Sequence, residues 1–566
     1  MTVVQQAFFL ARGRIIRVAL FSGIVNVLTL SGSIYMLQVY DRVLPTKSFA
    51  TLIGLSMLLI AAYTAQGFFD ALRIRMLTRI GALFDQSLQR QIYDCIMALR
   101  LRGWDTASVT QPIRDLEVIR MFLSGMGPTA FLDLPWVPFF LIVLFFFHPV
   151  IALGAFIGML LIVGFTFIVE YSTRRHAMEL EKLGMLRAAM AKITAYNAEV
   201  IHALGMSSRF GNQWRSVNIA YIREILHIRD IEADIGTMAK MLRYILQSSI
   251  LGLGAALVIT DQATAGIMIA SSIMMGRALA PIEIVLGTWK QFKMMLDAMK
   301  RLTGMLTANA TDEMEHPALE LPRPNQSLIA KDLTIVPPGS QNIVGNNLSF
   351  ELTPGSGLAV MGASGSGKSS LARTLVGVWK PAHGSVCLDG AHIDQWDSDQ
   401  LGRYMGYMPQ DVALFEGTVA QNISRFEKNP SDSQIIEAAT LAGAHRLITS
   451  WPDGYSRKVG ENGGLLSAGQ RQRIALARAC YGNPFLIVLD EPNANLDTEG
   501  EAALADTILR LRERRCIVIC VSHRVATLSA LNMVMVMTGG RIIAFGPRDQ
   551  VLASIAASAA PAPQAA

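Results

Sequence analysis

The chain is 566 residues long, 51% hydrophobic and only 17% charged, with a formal net charge of +6. That length implies several domains, and the charged share lies well below the ~25% of soluble domains. The apolar residues crowd into the first 300 positions, in runs long enough to cross a bilayer. This excludes a soluble enzyme, and basic residues flanking those runs point to lipid headgroups rather than nucleic acid.

Arg12, Arg14 and Arg17 precede an apolar stretch too long for a signal-peptide core, so the start does not read as a cleaved signal. The first run covers about 15–40 and breaks at Asp41-Arg42 and Pro45; the second covers about 50–69. Between Arg73 and Arg120 lies a long amphipathic segment with eight arginines. A third run, about 130–147, ends at His148-Pro149, and a fourth follows to about 171. A second long polar segment then carries Arg174, Arg175, Lys182, Arg187, Lys192, Arg209, Arg215, Arg223 and Arg229. The fifth and sixth runs cover about 244–260 and 263–287.

Six spans are therefore expected. The links after spans one, three and five are short and nearly uncharged, whereas those after two and four are Arg-rich. Positive-inside logic places both termini and both long segments in the cytoplasm. The long segments are too polar for lipid and are expected to continue the spans as helices, giving two protrusions with free tips. Arg277 and Asp133 fall in or at the edge of spans, where charge is costly and faces a cavity or a partner. For Arg277 a place lining a path through the membrane and simple snorkelling toward the interface both remain open.

A transmembrane domain over 1–306 is expected to give way to a polar, Pro-containing linker over 307–327. An α/β domain is expected over 328–552, with an Ala- and Pro-rich disordered tail over 553–566. Of the five cysteines, the four in the α/β half, Cys387, Cys480, Cys516 and Cys520, are expected to be reduced. Cys516 and Cys520 lack a second pair at zinc-ligand spacing and read as small strand residues.

Within the α/β domain, Gly362, Ala363, Ser364, Gly365, Ser366, Gly367, Lys368 and Ser369 fit the P-loop pattern, with Ser370 next in line. The apolar run 358–361 before them is strand-like, and 370–379 reads as a helix stopped by Lys380-Pro381. A glycine-rich turn between strand and helix aims backbone N–H groups at phosphate, and the helix adds its positive end. Lys368 would reach the β- and γ-phosphates of ATP, and Ser369 would hold Mg²⁺.

Further along, the apolar strand 486–489 ends in Asp490-Glu491. Asp490 would orient Mg²⁺ through water, and Glu491 would polarise the attacking water; two acids at a strand end also occur in structural roles. Ser467, Ala468, Gly469 and Gln470 precede an amphipathic helix beginning at Arg471. They can cap that helix or bind the γ-phosphate of ATP held by another subunit. Gln410, after Tyr407-Met408-Pro409, is placed to sense the γ-phosphate and Mg²⁺, and His523 ends another apolar strand.

Five such motifs in this order resemble an ABC transporter half, six spans fused to an ABC-type ATPase domain. The resemblance implies an α-helical six-span transmembrane domain of the type IV ABC exporter kind, fused to an α/β P-loop ABC ATPase. It makes residues 362–369 the Walker A motif, Asp490-Glu491 the end of Walker B, residues 466–470 the signature, Gln410 the Q-loop, His523 the switch histidine, and Asn495-Leu496-Asp497 the D-loop. It also implies a C2 homodimer, because the signature of one copy faces the P-loop of the other. Two departures stand out. Ala468 replaces the usual glycine, and 335–339, Ile-Val-Pro-Pro-Gly, lacks the aromatic on which adenine usually stacks.

Smaller features narrow the resemblance. Tyr40-Asp41-Arg42-Val43-Leu44-Pro45, Asp133-Leu134-Pro135-Trp136, Arg114-Asp115-Leu116 with Phe122-Leu123-Ser124-Gly125, and Glu491-Pro492-Asn493-Ala494-Asn495 are similar to bacterial type I secretion exporters. Within that group the chain resembles the PrtD-like exporters of proteases, lipases and other RTX-type proteins. Few residues precede the first run, so no N-terminal peptidase domain is expected. The implied cargo is an unfolded protein with an uncleaved C-terminal signal. The implied partners are a periplasmic adaptor and a TolC-like outer-membrane channel, and the implied location is the bacterial inner membrane. Segment 114–124 reads either as a coupling element or as a solvated amphipathic helix. An exporter of lipid or small hydrophobic molecules is the alternative; a nucleotide-gated channel is disfavoured by Glu491 and His523.

Overall fold

The computed structural model describes residues 3–315, 321–522 and 524–559. His523, the linker residues 316–320 and the tail from 560 onward lie outside the described residues. The chain divides into two compact units, one of residues 1–97 with 105–308, the other of residues 98–104 with 309–566.

The first unit is helical. The six apolar runs fall in the helices Val3–Thr29 with Ser31–Gln38, Phe49–Leu101, Gly127–Asp133 with Val137–Phe147, Pro149–Tyr196, Ser207–Ile259 and Ala265–Glu315. Five helical stretches are long and apolar enough to cross a membrane, and the apolar start of the helix Pro149–Tyr196 is a shorter sixth. Phe49, Met57, Leu58, Ile60 and Phe68 stay exposed along one helix. Such a face is unstable in water and suits lipid. The polar segments prolong the spans without a break; at 1.5 Å per residue the 53-residue helix Phe49–Leu101 is about 80 Å long. The last helix runs to Glu315, past the point where the linker was expected to start. Its helical register simply continues from the buried Ala298, Leu302 and Leu306.

Several charges inside this unit are partnered. The Arg73 guanidinium donates to both Asp133 carboxylate oxygens at 2.9 Å, to Asp70 at 2.6 Å and to Ser22 Oγ at 2.9 Å. Asn26 Nδ2 donates to Asp133 Oδ1 at 2.7 Å. Asp133 thus has a partner, as the cost of charge near a span requires. Arg277 is exposed on its helix. Asp41 accepts from Gly266 N–H at 2.9 Å and from Thr264 Oγ1 at 2.7 Å, capping the first turn of the last helix. Buried Asp115 pairs with Arg301 at 2.7 Å, tying the helix Gln111–Ser124 to the last helix.

The second unit carries two sheets. One is antiparallel, ordered β2-β1-β4-β5, with β1 Leu328–Ile335, β2 Gly345–Leu352, β4 His383–Leu388 and β5 Ala391–His392. The other is ordered β10-β9-β3-β8-β7-β6, with β3 Gly357–Gly362, β6 Met405–Met408, β7 Leu486–Asp490, β8 Ile517–Val521, β9 Met533–Thr538 and β10 Arg541–Pro547. Strands β9, β3, β8, β7 and β6 are parallel, and β10 is an antiparallel edge. β7 and β8 are buried at every position, which explains their unbroken apolar sequence. No disulfide joins the cysteines among the described residues, and burial pushes the Cys516 and Cys520 thiols up. The final helix extends to Ala559, beyond the expected onset of disorder at 553; alanine favours that continuation.

The Arg73–Asp133 pair supports a first prediction. Arg73→Leu leaves a carboxylate without its partner and lowers stability by roughly 3–5 kcal/mol. The double variant Arg73→Leu/Asp133→Leu recovers most of the loss. Thermal unfolding of the solubilised protein reads both.

Candidate active site

The four neighbouring parallel strands β3, β8, β7 and β6 end on the same edge of the sheet. The P-loop follows β3, Ser522 follows β8, Glu491 follows β7, and Gln410 lies two residues past β6. The carboxyl edge of an open parallel sheet is where such folds bind ligands.

Sequence dictates the P-loop turn. Gly362 takes φ +154°, and a Cβ there would stand 2.2 Å from the Met537 carbonyl oxygen. Gly367 takes φ +93°, and a Cβ would stand 2.2 Å from the Val344 oxygen. No other residue fits either position. The helix that follows is Lys368–Leu375, shorter than the expected 370–379. Gly377 adopts φ +74°, and the N–H groups of Val378 and Trp379 turn back to the Arg373 carbonyl, ending it.

Ala363, Ser364 and Gly365 are exposed, and Ser370 is half-buried. Lys368 is buried and donates to the Gly362 and Ala363 carbonyls at 2.8 Å each. Ser369 Oγ donates to Asp490 Oδ1 at 3.1 Å. Gln410 Nε2 donates to Glu491 Oε2 at 3.1 Å. The residues read as Walker A, Walker B and Q-loop therefore meet in one place.

Two atoms there test whether a phosphate and its cation fit. Asp490 Oδ2 and Ser366 Oγ are both buried and have no hydrogen-bond partner among the described residues. Orphaned buried oxygens are rare and call for an ion or ligand. Among the described residues no group of three or more His, Cys, Asp and Glu could hold a metal by itself. A cation here would rely on Ser369, Asp490 and phosphate oxygens together, which is how Mg²⁺ binds nucleotides. Glu491 carries φ +51°, a strained conformation for a non-glycine residue, and its N–H is pinned to the Val521 carbonyl at 3.1 Å.

The signature segment is built separately. The helix starts at Ala468, three residues before the expected Arg471, because Ser467 caps it. Gln470 N–H donates to Ser467 Oγ, and Ser467 N–H donates to Gln470 Oε1, a reciprocal box. A Cβ on Gly469 would stand 3.0 Å from the Asn495 carbonyl oxygen. Arg473 pairs with Asp497 at 3.0 Å, and Asp497 caps the helix Thr498–Glu513 through Gly500 N–H at 2.8 Å. The Gly500 bond, aided by Arg473, holds the Asp497 carboxyl below its usual range. No hydrogen bond joins residues 467–470 to the P-loop among the described residues.

Sequence reasoning missed Gln472. Its side chain is buried, donates to the Pro492 carbonyl and accepts from Asn495 N–H at 3.2 Å. It ties the signature helix to the segment after Glu491. A polar residue on the helix's buried face, at the same position in the turn as Ala468 and Ala475–Leu476, was the available signal.

Burial pushes the Asp490 carboxyl up, opposed by the Ser369 hydrogen bond and reinforced by Glu491. A raised carboxyl favours folding in full below the ordinary carboxylate range, and that contribution is lost as pH rises through the raised value. Asp490→Asn removes the buried charge and, in nucleotide-free protein, is expected to raise stability at pH 7.5 by about 1–3 kcal/mol. The gain shrinks toward pH 4. Thermal melts of both proteins across pH measure this, and Mg²⁺-dependent ATPase activity is lost in the variant.

Residues 345–494 match the family model described as ABC transporter, and residues 15–279 match that of the ABC transporter transmembrane region. The chain is similar to the type I secretion system ATP-binding protein PrsD of Rhizobium meliloti (strain 1021), with 45% identity over 544 residues, covering 96% of this chain and 93% of that protein. It is 27% identical to the alpha-hemolysin translocation ATP-binding protein HlyB of Escherichia coli, covering 91% of this chain and 73% of HlyB. The cyclolysin secretion/processing ATP-binding protein CyaB of Bordetella pertussis (strain Tohama I / ATCC BAA-589 / NCTC 13251) is also 27% identical, over 95% of this chain and 75% of CyaB. A solved bacterial Atm1-family ABC exporter with ATP bound has the same fold, with a TM-score of 0.82 at 22% identity over 98% of this chain and 99% of that one. The strand-end site, the apolar helices and identity running nearly end to end with PrsD lead to one conclusion: this chain belongs to the ABC transporter family, among the type I secretion system ATP-binding proteins.

Proposed function

We propose that this membrane protein hydrolyses ATP to export a protein, as the ABC component of a type I secretion system. One observation carries the reading: the P-loop and the Asp490-Glu491 pair converge in a chain 45% identical to PrsD across both units. The relatives HlyB and CyaB are named for translocating alpha-hemolysin and cyclolysin. The cargo here is an unfolded protein with an uncleaved C-terminal signal. It leaves through the bacterial inner membrane toward a periplasmic adaptor and a TolC-like outer-membrane channel.

The chemistry follows from the residues. The P-loop N–H groups and Lys368 hold the β- and γ-phosphates. Glu491, positioned by Gln410, polarises a water against the γ-phosphate. Mg²⁺, when bound, neutralises phosphate charge, and Ser369 and Asp490 are the residues to hold it, with Gln410 beside them. His523 and Gln410 report the γ-phosphate to the rest of the chain. Residues 467–470 and Asp497 complete the site of a second copy in a C2 homodimer, because ATP then bridges two chains that separate after hydrolysis. The helix Gln111–Ser124, fastened to the last helix through Asp115–Arg301, is the element that couples the two events.

Glu491→Gln should slow ATP hydrolysis roughly 100-fold or more. Expressed at wild-type level with adaptor and outer channel present, it should also remove one or a few proteins from the culture supernatant. Lost hydrolysis with an unchanged secretome would exclude protein export.

A further inference from the structure

The loop expected from the resemblance to carry an adenine-stacking aromatic has none, yet the fold sets Gly103, the residue before a tryptophan, against it. Residues 336–343 join β1 to β2, and both feet of this loop stand beside the phosphate site. Val344 N–H donates to the Ile335 carbonyl at 2.9 Å, and the Val344 carbonyl lies against Gly367, the last glycine of the P-loop. A base held one ribose away from P-loop phosphates therefore comes out beside this loop, whose residues are Val, Pro, Pro, Gly, Ser, Gln, Asn and Ile.

The tip of the first cytoplasmic extension, residues 98–104, belongs to this same unit. Gly103 takes φ +84°, and a Cβ on it would stand 2.6 Å from the Pro338 carbonyl oxygen. The backbone of the tip thus lies on the Pro337-Pro338-Gly339 turn. The next residue is Trp104, whose side chain is 46% exposed. Other tryptophans of the unit are engaged: Trp379 beneath Arg373, Trp396 against Tyr404, Trp451 beneath Arg457. The Trp104 ring meets no aromatic ring and no cation among the described residues. Ile343, 59% exposed, supplies a second apolar surface at the same loop.

We propose that Trp104 stacks on the adenine ring of bound ATP, replacing the aromatic missing from 335–339. This rests on the ATP reading of the P-loop. It makes the base a contact of the segment 98–104, which belongs to the ATPase unit.

The test uses full-length protein in lipid nanodiscs without Mg²⁺ and compares equilibrium binding of ATP and of inorganic tripolyphosphate. Stacking on an aromatic contributes about 1–3 kcal/mol, so Trp104→Ala should weaken ATP binding ~5- to 150-fold. Tripolyphosphate binding should not change, and Trp104→Phe should keep most of the ATP affinity. Azido-adenine photolabelling of wild-type protein should mark the tryptic peptide 103–114. Unchanged ATP affinity in Trp104→Ala, equal weakening of both ligands, or label confined to other peptides would overturn the proposal. Wild-type protein that binds neither ligand would overturn the ATP reading itself.

Discussion

The ATPase unit depends on one steric constraint: a strand must end against backbone with no side chain in the way. β3 reaches Gly362 beside the Met537 carbonyl, and the chain turns back at Gly367 beside the Val344 carbonyl. Any Cβ at either point collides with peptide oxygen. With both hydrogens in place the turn closes, Lys368 folds across it to the Gly362 and Ala363 carbonyls and Ser369 reaches Asp490. The parallel order of β3, β8, β7 and β6 then delivers Glu491 and Gln410 to the same edge.

The membrane unit solves a different problem with similar economy. Its spans carry large apolar faces that only lipid tolerates, and the few charges near them are consumed locally. Arg73 gathers Asp70, Asp133 and Ser22, Asp41 caps the last helix, and Asp115 takes Arg301. The Arg73–Asp133, Asp41–Gly266 and Asp115–Arg301 pairs join helices distant in sequence.

Much of this was legible in the residues. Apolar runs gave the spans, because a bilayer demands length and hydropathy and little else. The P-loop and the acids ending β7 were legible because phosphate chemistry requires particular residue types at fixed spacing. Helix ends were less so: the helix after the P-loop stops early at Gly377, and the signature helix starts early at Ser467, since caps depend on single backbone torsions. The length of the last helix was less legible, because its register from Ala298 and Leu306 carries through polar residues to Glu315. The partners of Gln472 and the landing of Gly103 on Pro338 were invisible, because each depends on a tertiary neighbour far along the chain.

Within one chain the signature helix is fastened to the Asn495–Asp497 segment, and among the described residues no hydrogen bond joins residues 467–470 to the P-loop. The most direct test of the account is therefore ATP hydrolysis by co-expressed Lys368→Ala and Gly469→Asp chains. Each variant alone should be inactive. If two copies form two shared sites, mixed dimers keep one intact site, and random pairing predicts roughly a quarter of wild-type activity. Activity no greater than that of either variant alone would contradict the shared-site account.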